Sequence, residues 1–183
     1  YFENLLDLNL YYNEYNLFTQ WEYSEPPQFG PRKRKLNKGF LEYEGDFFRL
    51  VLGDIYTLFS RGMGINLFSD QSLDFDNSVR GIEFEYFEND NFRLFGLSGR
   101  GEFGYKSSGN STGRLNNRLI ENKLSTFGID YHFSNVIPGE FTYTNINLLS
   151  SNEEDELEGV LAKSLVIDMN SFSYSVNINN IDF

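Results

Sequence analysis

The sequence predicts an all-β protein, an antiparallel up-and-down meander that forms a transmembrane β-barrel of about ten strands or part of a larger barrel. Three observations predict this class. Apolar and polar side chains alternate through most of the 183 residues, and the predicted strands are joined by connections that are alternately short and long. Large aromatic and leucine side chains occupy one parity of most strands, whereas Asp, Glu, Asn, Ser, Thr and Gly occupy the other.

Composition excludes several classes of protein. The chain carries 15 basic and 27 acidic residues, and its net charge of −12 argues against a nucleic-acid partner. No apolar run reaches the roughly 18 residues of a membrane helix, and the absence of cysteine excludes disulfides and thiolate metal sites. No cofactor is expected. We expect one domain over residues 1–183, or a fragment of a larger barrel, because Tyr1 already lies within mature-looking sequence.

The alternation defines the expected strands. The first half of the chain is predicted to hold a hairpin at residues 2–23 that turns at Asn13-Glu14, a loop at 24–38, a strand at 39–44 and a turn at Gly45-Asp46. A long strand at 47–68, a loop at 69–77 and strands at 79–87 and 92–103 follow. The rest is predicted to hold a loop at 105–123, strands at 126–133 and 140–148, an acidic loop at 151–158, and two last strands at 165–170 and 172–179. The long strand exceeds the usual strand of a globular sheet, and Gly53-Asp54 is the expected site of a bulge.

Loop length distinguishes a membrane barrel from a soluble sandwich. A transmembrane meander has short turns on one side and long loops on the other, whereas the crossovers of a sandwich mix the two. Lysine is almost confined to the predicted loops, which suits a polar, crowded lumen. Aromatic side chains near strand ends match the girdles of a membrane barrel: Tyr12, Trp21, Tyr23, Tyr86, Tyr131 and Phe133. A soluble or surface-tethered β-sandwich binding module is the alternative.

Two neighbouring segments carry a resemblance to a known family. GDIYTLFSRG fits a Gly-Asp-x-Tyr-x-x-Phe-x-x-Gly strand, and DNSVRG fits an Asp-Asn-Ser-x-x-Gly strand start, which resembles an uncharacterised family of bacterial outer-membrane β-barrel proteins. The matching positions are Gly53, Asp54, Tyr56, Phe59, Gly62, Asp76, Asn77, Ser78 and Gly81. The resemblance covers roughly residues 3–104. It implies the barrel fold and the outer membrane, but no activity and no catalytic residue.

Three charged residues of one predicted hairpin are candidates for the barrel lumen. Glu83 and Glu85 lie on its first strand and Arg93 on its second. They would set ion preference if the lumen holds a water-filled pore. In a narrow barrel such groups satisfy one another and close the lumen, and this is the interpretation that we favour.

A possible hydrolase motif lies at residues 132–135. His132-Phe133-Ser134-Asn135 resembles the His-x-Ser-Asn segment of outer-membrane phospholipase and lipid A deacylase barrels, which implies His132 as base and Ser134 as nucleophile. The aromatic side chains of this strand are expected to face lipid, however. His132 and Ser134 alternate with them and are therefore expected on the lumen side. We therefore favour a non-enzymatic protein and keep an outer-membrane lipid esterase as an alternative.

Charged loops suggest weaker sites. Asp70, Asp74 and Asp76 could bind Ca²⁺ through carboxylate oxygens. Neither this loop nor the acidic run at residues 153–156 has EF-hand spacing, so we predict solvated loops and no metal site. The basic run at residues 31–35 is a candidate contact for lipopolysaccharide or a solvated loop.

Together these observations predict a protein of the bacterial outer membrane. We expect it to act as a pore, a surface binder or a structural subunit of an envelope complex. The expected partners are membrane lipid, lipopolysaccharide and other envelope proteins.

Overall fold

The computed structural model describes residues 2–25, 33–59, 62, 64–70, 75–89, 91–105, 118–133, 139–152, 164–178 and 181–182. In chain order its strands are β1 (Phe2–Tyr12), β2 (Tyr15–Glu25), β3 (Lys33–Glu44), β4 (Phe48–Ile55), β5 (Leu58–Phe59), β6 (Ile65–Asn66), β7 (Ser69–Asp70), β8 (Phe75–Asp76), β9 (Val79–Asn89), β10 (Phe92–Tyr105), β11 (Arg118–Phe133), β12 (Gly139–Asn152), β13 (Leu165–Ile178) and β14 (Ile181–Asp182). No helix in these ranges is long and apolar enough to cross a membrane.

The long strands form one antiparallel meander. Their order in the sheet is β1-β2-β3-β4-β9-β10-β11-β12-β13, and the two-residue β14 pairs with the end of β13. Each long strand therefore lies beside its neighbours in the chain, which confirms the predicted all-β meander. Within the described ranges no ladder joins β1 to β13 or β14, so the sheet is open there rather than a closed barrel.

Short and long connections lie at opposite ends of this sheet. β1 and β2 meet at Asn13-Glu14, where Asn13 has the positive φ of 49° that asparagine tolerates. The Gly45 N–H donates to the Phe48 carbonyl at 2.9 Å and closes the turn between β3 and β4. We call this end the short-turn end. At the other, the long-loop end, the connections span residues 26–32, 56–78, 106–117 and 153–164.

The predicted strand at residues 47–68 is wrong beyond Ile55. There β4 ends, and two small hairpins, β5–β6 and β7–β8, precede β9. Gly53 has a φ of 118°, and a Cβ there would lie 2.3 Å from the Gly39 carbonyl oxygen, so only glycine fits. The Gly39 N–H donates to the Asp54 carboxylate at 2.7 Å. The ladder of β4 with β3 ends at Gly53, whereas the ladder with β9 continues in regular register to Ile55, so neither has the bulge predicted at Gly53-Asp54.

Other predicted boundaries are also wrong. β3 begins at Lys33 and β11 at Arg118, so parts of two predicted loops are paired strand. The two predicted last strands are one strand, β13, which pairs with β12 from Leu165 to Val176. Pairing with a neighbouring strand outweighs local polarity at these positions, because strand preference depends strongly on context.

The sheet exposes an apolar face and covers a charged one. On the face that we call the outer face, Leu6 is 66% and Phe172 69% exposed. On the opposite, inner face, Glu83 is 1% and Thr144 0% exposed. For these side chains the usual arrangement of a water-soluble sheet, with its apolar face covered and its polar face exposed, is therefore reversed, while the inner face also carries a buried apolar core.

One aromatic row crosses the outer face at the short-turn end. We call it the aromatic belt, and it takes one residue from each long strand: Tyr12, Tyr15, Tyr43, Phe48, Tyr86, Phe92, Tyr131, Phe141 and Tyr174. The rings of Tyr15 and Tyr43 lie 5.0 Å apart, and those of Tyr43 and Phe48 lie 5.1 Å apart. The belt is therefore in ring contact from β2 to β4.

The described part of residues 56–78 covers the inner face toward the long-loop end, and we call this part the inner segment: residues 56–59, 62, 64–70 and 75–78. The Phe59 ring stacks on Phe95 at 4.1 Å with an interplanar angle of 18°. Gly128 lies beneath this stack, where a Cβ would approach the Phe95 ring to 2.2 Å. The buried apolar core lies between the inner segment and the inner face: Val51, Ile55, Phe59, Ile65, Val79, Phe95, Leu97, Leu124 and Ile146.

Candidate functional site

Charged side chains gather on the inner face toward the short-turn end. We call them the inner charge cluster, and they lie on five neighbouring strands: Glu42 on β3, Arg49 on β4, Glu83 and Glu85 on β9, Arg93 on β10 and Asp130 on β11. The pairing register places these positions on one face of the sheet. The cluster therefore follows directly from the meander and its alternation.

Arg49 is the centre of this cluster. Its Nε donates to Glu42 at 2.5 Å, and its Nη1 donates to Glu83 at 2.6 Å and to Glu85 at 2.8 Å. These carboxylates come from the strands on either side of β4, since β4 pairs with β3 and with β9. One guanidinium thus joins three strands through charge-assisted hydrogen bonds, which are stronger than neutral ones.

Arg93 connects the charged and the apolar parts of the inner face. Its Nη1 lies 3.3 Å from Glu85, and its Nε donates to Asp130 at 2.7 Å. Its guanidinium carbon also lies 5.3 Å from the centre of the Phe95 ring, within cation–π range. Arg93 is thereby fixed between two carboxylates and the ring that stacks on the inner segment.

Negative charge exceeds positive charge in the cluster, which has four carboxylates and two guanidinium groups. The Oε2 of Glu83 and the Oδ1 of Asp130 are buried and have no hydrogen-bond partner among the described residues. Unpaired buried oxygens cost free energy, so the paired oxygens must offset that cost. The ion pairs of the cluster join five neighbouring strands across the interior.

The structure brings the three predicted lumen residues together. Glu85 contacts both Arg49 and Arg93, and Glu83 reaches the same Arg49. Sequence reasoning missed Glu42, Arg49 and Asp130. A signal existed for each, because Glu42 lies between Leu41 and Tyr43, Arg49 between Phe48 and Leu50, and Asp130 between Ile129 and Tyr131.

His132 lies at the rim of the inner face. Its Nε2 is 3.9 Å from an oxygen of Glu140, the residue opposite it on β12, and its side chain is 49% exposed. A cavity of about 470 Å³ opens beside it and is also lined by Arg93 and Asp130. Ser134, the predicted nucleophile, lies outside the described residues. The hydrolase alternative stays a prediction, and unchanged acyl release by Ser134→Ala would contradict it.

Of the weak calcium candidates, the structure describes Asp70 and Asp76, which lie on the paired strands β7 and β8. Asp76 is 2.7 Å from Lys38 and accepts a hydrogen bond from the Tyr56 hydroxyl at 3.1 Å. Asp70 lies in β7, whereas Asp74 and residues 153–156 lie outside the described ranges. Within those ranges no group of three or more His, Cys, Asp or Glu could hold a metal ion.

Asp76 instead fastens the inner segment to the sheet. The Lys38 ammonium, on the inner face of β3, also lies 2.5 Å from the Ser69 hydroxyl. Burial acts to raise the pKa of Asp76, but the hydrogen bonds from Lys38 and Ser78 outweigh it, and the pKa is lowered. Burial raises the pKa of Tyr56. Asp76 therefore stays ionised, which is the state that pairs with the Lys38 ammonium.

One residue of the basic run 31–35 reaches the outer face. Arg34 donates to the Tyr23 hydroxyl at 3.0 Å, and its guanidinium lies 4.7 Å from the centre of the Tyr23 ring. Residues 31–32 lie outside the described ranges.

Comparison with known proteins places the chain in a family without giving an activity. No curated protein matches it, and no solved structure matches it. Residues 2–133, more than half of the chain, match the family described as a family of unknown function (DUF6029). The chain therefore belongs to this family, DUF6029.

Proposed function

We propose that the protein is an outer-membrane β-barrel with a filled interior, which acts as a surface binder or as a structural subunit of an envelope complex rather than as an open pore. The reversed polarity of the sheet is the observation that carries this proposal. Large apolar side chains remain exposed on the outer face, while charged side chains are covered on the inner face. Lipid around the outer face and enclosure of the inner face account for both.

The extent of the exposed apolar surface supports lipid contact. Exposed leucine and aromatic side chains of the outer face extend from Leu6 on β1 through Leu41 and Phe84 to Phe127 on β11. Soluble monomers rarely expose contiguous apolar patches larger than a few hundred Å². A face of this extent therefore requires a covering, and hydrocarbon covers every strand in the same way.

The dimensions of the outer face also suit a membrane. Along β11, Tyr131 of the aromatic belt and Lys123 are eight residues apart. This is about 27 Å along the strand at about 3.4 Å per residue, or about 20 Å of height at a barrel tilt of about 40°. Outer-membrane barrels have an apolar band of about 25 Å between polar or aromatic borders, so the belt would mark one border.

The contents of the inner face favour a closed interior. The inner segment packs against the half near the long-loop end, and the inner charge cluster joins β3, β4, β9, β10 and β11 near the short-turn end. A conducting pore needs a continuous aqueous path along this face. Binding or a structural role in an assembly is therefore the better proposal.

The chain contains a natural probe for lipid contact. Its single tryptophan, Trp21, lies on the outer face and is 52% exposed. In vesicles whose acyl chains carry bromine, we expect strong quenching of Trp21 emission and little quenching by aqueous iodide, because the indole would contact hydrocarbon.

A matched variant moves the probe to the other face of the same strand. Phe18 lies on the inner face of β2, so a protein with Trp21→Phe and Phe18→Trp should show little quenching by the brominated lipid. Quenching of Trp21 by iodide alone, without any effect of brominated lipid, would contradict the membrane proposal.

A soluble or surface-tethered binding module is the second candidate, and one feature favours it. On the outer face of β12 and β13, the Asn145 amide donates to Asn170 at 3.0 Å, and the Asn147 amide donates to Asn145 at 2.9 Å. Amide side chains at mid-strand are costly against hydrocarbon, although these mutual hydrogen bonds reduce the cost. The quenching experiment separates the two candidates.

A further inference from the structure

We propose that the outer face binds the phosphorylated headgroup of a glycolipid near the long-loop end. The proposal rests on the proposed function, which places this face in a membrane. Its centre is a row of three cations on β9, β10 and β11, which we call the cation row: Arg80, Arg100 and Lys123. Arg80 is directly opposite Arg100, and Arg100 is directly opposite Lys123.

Carboxylates neutralise the cation row only in part, through Asp54 at Arg80 and Glu121 at Arg100. Like charges directly opposite each other on neighbouring strands destabilise a sheet. The chain has only 15 basic residues and a net charge of −12, so a row of three adjacent cations contrasts with its composition. A bound anion would remove the repulsion, and phosphate is the anion that arginine and lysine bind most readily in this geometry.

Arg80 is oriented for binding without being covered. Its Nε and Nη2 each donate to the Asp54 carboxylate at 2.8 Å, while its side chain stays 61% exposed. Arg100 is 71% exposed, and Lys123 is exposed as well. Because Arg80 is already held in place, a phosphate would not have to order this side chain, while Arg100 and Lys123 are accessible to it.

The surroundings favour a glycolipid over a simple phospholipid. The cation row borders a groove of about 560 Å³ that is also lined by Ser98, Ser125, Asn147 and Val166. Ser98 pairs with Ser125, and Ser125 pairs with Asn147, so hydroxyl and amide groups form the next row of the outer face. These groups can hydrogen-bond to sugar hydroxyls and linking amides, which a phosphatidylglycerol headgroup does not match as well.

The position of the row fits a headgroup. Lys123 lies eight residues along β11 from the aromatic belt, at the opposite border of the apolar surface. Phosphates of membrane lipids lie at this border, where basic side chains meet them. The polar residues of β12 on the outer face would then lie next to the bound headgroup and contact it.

Carboxylates beside the row compete with the phosphate: Asp54 and Glu102 act on Arg80, and Glu121 acts on Arg100. Glu121 lies 3.9 Å from the Arg100 Nη1 and directly opposite Glu102 on β10. It is the closest carboxylate to Arg100 among the ion pairs of the described residues. Removing its charge should therefore strengthen phosphate binding, whereas removing the charge of Arg100 should weaken it.

The test is a titration of the purified chain in neutral detergent, followed by native mass spectrometry. The probes are a diphosphorylated glucosamine-based glycolipid, its dephosphorylated form, phosphatidylglycerol and inorganic phosphate. We expect the diphosphorylated glycolipid to bind most tightly. Arg100→Gln and Lys123→Gln should each weaken it about tenfold, as the loss of one charge-assisted hydrogen bond predicts.

Two further variants make the test specific. Glu121→Gln should bind the diphosphorylated glycolipid several-fold more tightly than the unaltered chain. Lys35→Gln changes the net charge as Arg100→Gln does, but Lys35 lies opposite Glu22, away from the cation row, and should bind normally. Equal affinity for the dephosphorylated glycolipid, for phosphatidylglycerol or for inorganic phosphate would overturn the proposal, and so would equal losses in Lys35→Gln and Arg100→Gln.

Failure of this site and failure of the barrel proposal give different results. If brominated lipid quenches Trp21 while Arg100→Gln binds the glycolipid normally, only the headgroup site is overturned. If brominated lipid does not quench Trp21 in the unaltered chain, the membrane proposal itself is overturned.

Discussion

At the scale of single residues, Arg49 shows how the interior depends on one cation. Its guanidinium contacts Glu42, Glu83 and Glu85, and Glu83 is almost completely buried. Alternation predicted the carboxylates of β9 as interior groups beside Arg93, which does contact Glu85, but it did not predict Arg49 as their partner. The pairing of β4 between β3 and β9 decides that partner, and this order of strands is not contained in the local pattern around Arg49.

Replacing this cation should therefore destabilise the fold strongly. Arg49→Met leaves three carboxylates of neighbouring strands without their shared partner, and loss of one member of a buried ion pair typically costs about 3–5 kcal/mol. We expect a decrease of this order in the free energy of unfolding, measured by urea titration in detergent micelles. Adding Glu83→Gln should restore part of the loss, because it removes one of the uncompensated charges.

A matched substitution controls for the loss of positive charge. Lys35→Met removes a cation from an exposed position on β3, and surface substitutions usually change stability by less than about 0.5 kcal/mol. Equal destabilisation by Lys35→Met and Arg49→Met would contradict the central role of Arg49.

At the scale of elements, the sequence predicted hairpins well and the inner segment poorly. The first hairpin is correct because its strands alternate cleanly and Asn13-Glu14 is a turn dipeptide. Ile65 and Leu67 continue the same alternation after Gly53, so a continuing strand was the natural prediction. Tertiary contacts decide otherwise, since Phe59 and Ile65 bury themselves against the inner face. A long strand and two short hairpins both give an alternation of period two, so the pattern alone does not distinguish them.

The attachment of the inner segment can be tested at Lys38. Its ammonium contacts Asp76 at 2.7 Å and Ser69 at 2.5 Å, and both residues belong to the inner segment. In Lys38→Met we expect amide hydrogen exchange in residues 64–70 and 75–78 to accelerate about tenfold, from the loss of a charged hydrogen bond. Exchange in β10 and β11 should stay unchanged.

The exposed Lys35 serves again as control, because Lys35→Met removes a lysine from the same strand without touching the inner segment. Acceleration throughout the sheet in Lys38→Met, rather than in the inner segment alone, would contradict a local fastening role.

At the scale of the whole molecule, the proposal requires the outer face to meet hydrocarbon, and two positions on β11 test this requirement. Phe127 lies four residues from Tyr131 of the aromatic belt and four from Lys123, so it would lie near the middle of the membrane. Phe127 is 49% and Tyr131 42% exposed, so in water Phe127→Arg and Tyr131→Arg should have similarly small effects on stability. In a bilayer, arginine costs about 2–4 kcal/mol at mid-depth and about 0–1 kcal/mol near the interface. We therefore expect Phe127→Arg to reduce the free energy of folding into lipid vesicles by about 1–4 kcal/mol more than Tyr131→Arg, and equal effects of the two substitutions would mean that water, not lipid, covers this face.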